Sequence, residues 1–368
     1  MINDMNVVAK DLTSKLLDPK VTNRPRGINI FNYMKLGTLD TIGLTAFGTN
    51  FNTVKNGTHP VVDAFNYVLD ETTRRQFEDP LSLECLFSFL PTAKNKKLDQ
   101  QIGVLRNCIQ SVVSDRIASL KSTPEEEEHE DLLKYMLAAR REEGGQGQQI
   151  TDEGLADNLL TLLFGGFDTT SIALTYTLYS VANDPGVELK ALQEIERVLG
   201  AEGQPTWENL SDLPYCTAII NEALRLYPPA PLTVRTLEKD LQLTEDGPII
   251  PKNTMMYIPI WWIHRSPLNW GNDANVFRPE RHLEENKLQK SAGSFRLIAF
   301  SGGQRNCPGQ RFAMMEALVM FTTLIRKLEF TVLKESRNVK SVSTGVVQKP
   351  KGGELWMHVK VRGVEVAS

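Results

Sequence analysis

The stretch that decides the fold is Phe300-Ser-Gly-Gly-Gln-Arg305-Asn-Cys307-Pro-Gly309, a glycine-rich loop that carries one cysteine. Its glycines lack a Cβ, so the backbone can approach a large flat partner closely. A helix-like run from Gln310 to Phe321 follows, and a helix N-terminus favours the thiolate form of Cys307. Arg305 can bind a carboxylate of the same partner. The loop predicts a sulfur ligand for a flat, metal-bearing group, although a buried core cysteine is an alternative.

A long apolar helix is predicted upstream of this loop. Thr151 is a favourable N-cap followed by two carboxylates, and the apolar run continues to about Ala182, ahead of Asp184-Pro-Gly. About 30 residues make a helix of roughly 45 Å, which must cross the interior of a large domain.

The middle of that helix reads Gly165-Gly166-Phe167-Asp168-Thr169-Thr170. Each glycine costs about 1 kcal/mol relative to alanine inside a helix, so we expect something large to press on this face. Asp168 and Thr169 add an acid and an alcohol where an apolar helix should bury only carbon, and a Thr hydroxyl can bond back to the helix carbonyls. A kinked core helix with a satisfied Asp explains the motif equally well.

Two further motifs combine a glutamate with arginines. Glu222-Ala-Leu-Arg225 precedes Leu-Tyr-Pro-Pro229, so Glu and Arg share one face of a helix that proline then ends. The second motif is Phe277-Arg278-Pro279-Glu280-Arg281. Glu71 with Arg74, and Glu194 with Arg197, show the same three-residue spacing and are expected to be weak surface pairs.

These four segments resemble those of the cytochrome P-450 monooxygenases, and the cysteine loop has that family's haem-binding form, Phe-x-x-Gly-x-Arg-x-Cys-x-Gly. The resemblance spans roughly Phe31 to Arg362. It implies a mainly α fold with a smaller β portion, formed as one catalytic domain over residues 1–368. It also implies a haem whose iron is held by one axial cysteine thiolate, the ligand that favours O–O cleavage.

The resemblance also implies a role for each residue of the motifs. Cys307 is the iron ligand, while Thr169 and Asp168 manage protons beside bound dioxygen. Glu222, Arg225 and Arg281 form a buried triad that locks the cysteine loop, and such a triad is very costly to break. Other expected haem contacts are Arg235 and Arg305 at the propionates, Phe300 and Gly309 in the loop, and Gly165 and Gly166 over the haem face. The expected substrate pocket is lined by Leu163, Phe164, Phe167, Ala230, Leu232, Thr233, Thr344 and Gly345.

The activity that the resemblance implies is insertion of one oxygen atom into an apolar organic substrate, by hydroxylation or epoxidation. Electrons would come from an NADPH-dependent cytochrome P-450 reductase or another donor. A reductase-independent isomerase or dehydratase of peroxides on the same fold is one alternative, disfavoured by the intact Asp168–Thr169 pair. A haem-free remnant without catalysis is the other. His282 stands where the family usually has Phe after the motif Arg, and His264 is expected to be structural.

Composition narrows the class of protein. The chain has 368 residues, 41% hydrophobic and 23% charged, with a net charge of −4, so no nucleic-acid binder is indicated. Its four cysteines show no C-x-x-C spacing, which disfavours a disulfide framework or a zinc site. The sequence contains no run of about 18 or more apolar residues, so it predicts no transmembrane segment. Full-length eukaryotic relatives are anchored in the endoplasmic reticulum, but this sequence does not determine localisation.

Three expectations concern the ends and loops of the chain. The family's N-terminal anchor, first sheet and early helices are missing, so we expect a truncated member that binds haem weakly or not at all without them. Strands are expected within Leu241–Tyr257, and a hairpin is expected to pair Val339–Val347 with Leu355–Val361 around Lys351-Gly-Gly353. The charge run Glu125–Asp131 and the stretch Gly144–Gln149 are expected to be solvated loops.

Overall fold

Helices make up most of the protein, as the resemblance implies. The computed structural model describes residues 1–79, 81–82, 89–122, 131–142, 151–285, 295–344 and 347–363. Within these residues the helices are Ile2–Leu17, Pro19–Thr22, Ile30–Phe47, Thr53–Asn56, Pro60–Thr73, Ala93–Ser122, Leu132–Glu142, Asp152–Ala182, Pro185–Leu199, Pro214–Leu226, Ile260–Ile263, Pro267–Trp270, Glu280–Glu285 and Gln310–Lys327. The mainly α fold with a smaller β portion is confirmed.

The long helix, Asp152–Ala182, organises the interior. The Thr151 hydroxyl accepts the Gly154 N–H at 3.0 Å, so the predicted N-cap is confirmed. Its N-terminal half belongs to one apolar core cluster and its C-terminal half to a second. Phe164 packs against both clusters. The glycine-containing middle of the long helix therefore lies where the two cores meet.

The partner helix, Ile30–Phe47, packs along the long helix and is buried on nearly all sides. A Cβ on Gly166 would stand 2.7 Å from Cδ1 of Ile42, so the missing side chain lets the two helices approach. Thr38 of the partner helix donates to the backbone oxygen of Phe167 at 2.8 Å. Close packing and this hydrogen bond fix the long helix at its polar motif.

By length and composition alone, Glu153–Ala182 could also cross a membrane. Its most apolar window is 61% buried inside the protein, and core helices meet the same criteria. The helix also packs on the partner helix and on Gln310–Lys327. We therefore describe it as the core helix of this fold.

Within the described residues the strands form four small antiparallel sheets. They are β1 (Ile28–Asn29), β2 (Thr233–Thr236), β3 (Leu241–Gln242), β4 (Ile249–Ile250), β5 (Met255–Ile258), β6 (Leu328–Val332), β7 (Ser341–Thr344), β8 (Val347–Pro350) and β9 (Trp356–Val361). The order in the largest sheet is β1-β9-β6, and the other sheets pair β2 with β5, β3 with β4, and β7 with β8. The strands expected within Leu241–Tyr257 are confirmed.

The expected C-terminal hairpin is wrong. Strand β7 pairs with β8, with Ser341 opposite Pro350, whereas β9 pairs with β6 and β1. The Lys351–Gly353 turn carries the chain from one sheet to the other rather than joining two paired strands. In β9 the side chains of Met357 and Val359 are buried in the same apolar core cluster as Phe330 and Val332 of β6.

Of the two pairs expected at the surface, Glu71–Arg74 is largely buried, whereas in the other Glu194 is buried and the exposed Arg197 donates to the Asp212 oxygen at 3.4 Å. Glu71 is 7% exposed and accepts a hydrogen bond from Arg74 at 2.8 Å, which lowers the pKa of Glu71 to about 2. Glu194 is also buried, and its carboxylate accepts the N–H groups of Tyr215 and Cys216 at 2.9 and 2.8 Å. Glu194 therefore satisfies the first turn of Pro214–Leu226.

Most of the acidic run and all of the Gly144–Gln149 stretch lie outside the described residues. Asp131, at the end of that run, is buried and pairs with Arg116 at 2.8 Å. The expectation of a solvated loop is therefore wrong for Asp131.

The cysteines that the structure describes are free thiols, namely Cys108, Cys216 and Cys307.

Candidate functional site

The cysteine loop, residues 298–309, is held by its own backbone. The Cys307 N–H donates to the Phe300 oxygen at 2.9 Å, and the Ser301 N–H donates to the Ile298 oxygen at 2.9 Å. Ser301 has φ +63°, an uncommon left-handed conformation for a residue other than glycine. The helix Gln310–Lys327, here called the post-cysteine helix, begins three residues after Cys307. The half-buried sulfur thus lies ahead of a helix N-terminus, as predicted.

Two glycines have open space where a side chain would stand, one in the loop and one in the long helix. Among the described residues, and apart from their own chain neighbours, no heavy atom lies within 4 Å of the position that a Cβ would take on Gly303 or on Gly165. A Cβ on Gly309 would stand 3.8 Å from the Cys307 sulfur, so a larger side chain would extend beside that sulfur. Within the described residues no group of three or more His, Cys, Asp or Glu side chains could hold a metal ion. A single thiolate beside a glycine suits an iron whose other ligands belong to a porphyrin.

One of the two arginines predicted to bind haem propionates contacts the cysteine loop. Arg235 lies on β2, and its guanidinium donates to the Ser301 hydroxyl at 3.1 Å and to Thr233 Oγ1 at 2.9 Å. Arg305 is an exposed residue of the loop itself, in the turn Gly303–Arg305. The structure therefore brings a strand arginine and a loop arginine to the same part of the molecule.

The acid and the alcohol of the long helix have different surroundings. Thr169 is half-buried and donates to the Gly165 oxygen at 2.7 Å, the back-bond expected from the sequence. Asp168 is 1% exposed and forms an ion pair with Lys35 Nζ at 3.0 Å. Lys35 is 4% exposed and also donates to Asn66 at 2.5 Å. Sequence reasoning missed Lys35, although a lysine within an apolar helix is itself a signal of a buried partner.

An open cleft of about 390 Å³ reaches Lys35 from the surface. Asn66, Asp70 and Lys349 also line it, and Lys349 pairs with the exposed Asp70 at 2.8 Å. Burial lowers the pKa of Lys35, while the carboxylate of Asp168 opposes that change. Polar side chains thus extend from solvent to the Asp168 carboxylate, on the side of the long helix that faces the partner helix.

The two paired glycines of the long helix have different neighbours. The missing side chain of Gly166 accommodates Ile42 of the partner helix, whereas Gly165 faces open space. Gly166 thus has a helix-packing role, and its haem contact stays a prediction. Leu163 and Phe167 are 0% and 1% exposed within an apolar core cluster, and core packing alone accounts for both.

The other expected pocket residues fall on two neighbouring segments. Ala230 and Thr233 are half-buried and Leu232 is 37% exposed, along the segment that enters β2. Strand β8 docks beside this segment, since the Gln348 N–H donates to the Pro229 oxygen at 2.7 Å. Thr344 ends β7 next to β8, and Gly345 lies outside the described residues.

Glu222 lies at the centre of a buried polar cluster. Its carboxylate accepts hydrogen bonds from Arg225 at 2.7 and 2.8 Å, from Arg281 at 2.9 Å and from the Arg278 N–H at 2.9 Å. His282 Nε2 lies 2.9 Å from the same carboxylate, a contact that the Phe usual in the family could not make. Burial alone would raise the pKa of Glu222, but the bonds from Arg225 and His282 outweigh it and lower the pKa to about 2.

Glu316 is a second buried carboxyl that sequence reasoning missed. It lies on the post-cysteine helix with 0% exposure, next to Thr41 of the partner helix and Thr170 of the long helix. Burial raises the pKa of Glu316 well above its ordinary value, and the neighbouring Thr41 and Thr170 oppose that change only in part. Glu316 therefore brings a carboxyl of raised pKa to the contact of three helices, beside Thr170, the residue that follows Thr169.

Comparison with known proteins connects this geometry to a family. The family model for cytochrome P450 matches residues 1–357. The chain belongs to the cytochrome P450 family. Cytochrome P450 4X1 of Rattus norvegicus is 30% identical over 92% of this chain and 65% of its own length. A cytokinin hydroxylase of Arabidopsis thaliana is 31% identical over 93% of this chain and 64% of that protein.

A third relative has a different architecture. The bifunctional cytochrome P450/NADPH–P450 reductase of Aspergillus oryzae is 33% identical over 88% of this chain and 28% of its own length. The chain spans just under two thirds of the length of cytochrome P450 4X1 and of the cytokinin hydroxylase. Cytochrome P450 proteins hold haem through a cysteine thiolate, and the loop around Cys307 carries the sequence form of that ligand.

Proposed function

We propose that this chain is the haem-binding part of a haem-thiolate monooxygenase acting on an apolar organic substrate. The observation that carries the proposal is the cysteine loop, in which Cys307 precedes the post-cysteine helix with its N–H tied to Phe300. Arg235 reaches the same loop through Ser301, in reach of a group that carries carboxylates. When bound, haem would supply the chemistry of dioxygen activation.

The protein's own residues would bind and orient the cofactor and move protons. Cys307 would provide the thiolate, and Arg235 and Arg305 would neutralise the propionates. Gly165 would leave room above the long helix, because no heavy atom of the described residues outside its own helix turn stands within 4 Å of its missing Cβ. The Glu222, Arg225 and Arg281 triad would hold the surrounding backbone, since Arg225 also donates to the backbone oxygens of His264 and Ala274 and Arg281 donates to that of Asp273.

Thr169 and Asp168 would hold protons and deliver them beside bound dioxygen. The Thr169 hydroxyl donates to the Gly165 oxygen, and its own oxygen keeps lone pairs that can accept a hydrogen bond. Asp168 can exchange protons with water through Lys35 and the cleft beside Asp70. Electrons would come from an NADPH-dependent reductase. Leu232, Thr233 and Thr344 would contribute to the substrate pocket together with Ala230 and Phe164.

The test is transfer of labelled oxygen. The chain is loaded with haem and given NADPH, a cytochrome P450 reductase, a fatty acid as probe substrate and isotopically labelled dioxygen. Label in a hydroxylated product supports the proposal, and Thr169→Ala should then consume NADPH with much less product. Conversion of a fatty-acid hydroperoxide without NADPH or reductase would instead favour the isomerase or dehydratase. A chain that takes up no haem would favour the remnant.

A further inference from the structure

We propose that His264 is a positioning residue that connects the buried Glu222–Arg225 pair to the backbone of the cysteine loop. The assignment of that loop to haem rests on the proposed function. The connection itself is a property of the protein, and it can be measured without the cofactor.

Both ring nitrogens of His264 are engaged in the core. The side chain is 0% exposed, and its Nε2 accepts the Ile298 N–H at 2.9 Å. Its Nδ1 lies 3.2 Å from the backbone oxygen of Arg225. Because a backbone N–H only donates, Nε2 must carry the lone pair, and the ring proton then sits on Nδ1 and points at the Arg225 oxygen. A neutral histidine in one tautomer satisfies both partners.

Arg225 also holds the backbone of His264. The Arg225 guanidinium donates to the His264 oxygen at 2.7 Å and to the Ala274 oxygen at 2.5 Å. The same guanidinium is fixed by Glu222. Burial lowers the pKa of His264 to about 4, which keeps the ring in the neutral form that this geometry requires. His264 is therefore tied to the Glu222–Arg225 pair twice, through its ring and through its backbone oxygen.

The connection continues from Ile298 to the cysteine. The Ile298 oxygen accepts the Ser301 N–H at 2.9 Å, and the neighbouring Phe300 oxygen accepts the Cys307 N–H at 2.9 Å. Ser301 has φ +63°, a conformation that needs support from its surroundings. The ring of His264 supplies that support at Ile298. Loss of the Nε2 acceptor should therefore loosen the backbone from Ile298 to Cys307.

Three substitutions distinguish the contributions of the two ring nitrogens of His264. In His264→Gln the side-chain amide can reach the position of Nε2, in His264→Asn it reaches only that of Nδ1, and His264→Phe has neither group. We expect the Ile298 and Ser301 amides of the haem-free chain to exchange hydrogen about tenfold faster in the Asn and Phe variants. The Gln variant should exchange at close to the wild-type rate. His358→Gln, on β9, is the matched control and should leave both amides unchanged.

The comparison of Gln with Asn decides the outcome, even if the Phe variant does not fold. Equal exchange at Ile298 in the Asn variant and the wild type would overturn the proposal, and so would identical rates in the Asn and Gln variants. With haem bound, the Asn variant should lose more of the strongly red-shifted absorption of the reduced CO complex than the Gln variant. If wild-type chain takes up no haem but the exchange rates follow this order, the proposed function fails and the connection stands.

Discussion

At the scale of single residues, Glu316 links folding to pH. Its pKa lies well above the ordinary 4.5 because its carboxyl is fully buried, so the folded chain keeps a proton that the unfolded chain releases. The stability contributed by this proton is complete below pH 4.5 and is lost as the pH rises toward the raised pKa. Glu316→Gln keeps the shape without titrating. Its free energy of unfolding should decline less than that of the wild type as the pH rises above 4.5 in urea titrations.

An exposed glutamate provides the control for that comparison. Glu335 lies at the surface, and Glu335→Gln should keep the wild-type slope of stability against pH. If the Glu316→Gln slope also matched that of the wild type, the carboxyl would not be held neutral in the folded chain.

Residue types could be predicted from the sequence more readily than their partners. The cysteine, the back-bonding Thr169 and the Glu–Arg spacing follow from local patterns, and the structure places them as the patterns predict. Lys35 lies 133 positions before Asp168 in the chain, and His264 lies 34 positions before Ile298. Such contacts depend on how helices pack, and no local pattern encodes them.

At the scale of helices, the paired glycines of the long helix have opposite roles. Gly166→Ala would place a Cβ 2.7 Å from Ile42, so we expect a loss of about 1–3 kcal/mol from overpacking. Gly165→Ala meets no neighbour and should stabilise the helix by up to about 1 kcal/mol. Urea unfolding of the two haem-free variants measures both effects. Ile42→Val should partly rescue Gly166→Ala, and equal stability of the two alanine variants would contradict this packing.

The Lys35–Asp168 pair joins the partner helix to the long helix. Both side chains are at most 4% exposed, so Lys35→Met would leave a buried carboxylate without its cation. We expect a loss of about 3–5 kcal/mol in the free energy of unfolding. The double variant Lys35→Met, Asp168→Asn should recover part of it. The exposed Lys327, paired with Glu202 at 3.0 Å, provides the control, because Lys327→Met should leave stability unchanged.

That expectation would be contradicted if Lys35→Met were as stable as Lys327→Met.

The helices and strands show what local sequence signals can predict. Caps and glycines predict where the long helix begins and ends, whereas β9 pairs with β6 and not with the strand just before it. Alternation of buried side chains predicts a strand but does not identify its partner.

At the scale of the whole molecule, buried carboxylates should determine acid stability. The hydrogen bond from Arg74 lowers the pKa of Glu71 to about 2, and Glu222 also has a pKa of about 2. Carboxylates of this kind contribute stability that is present above 4.5, the ordinary pKa, and is lost as the pH falls toward 2. The melting temperature of the wild type should therefore fall over this range. Glu71→Gln should reduce the fall, and a flat profile above about pH 3 would contradict the assignment.

The central claim for the whole molecule is that the Cys307 thiolate ligates a haem iron. The most direct test is to titrate the purified chain and Cys307→Ser with haem, reduce both and record the absorption of their CO complexes. We expect the strongly red-shifted band that a thiolate ligand produces in the wild type and its absence in Cys307→Ser. The same band in both proteins, or haem bound to the wild type without that band, would contradict the claim.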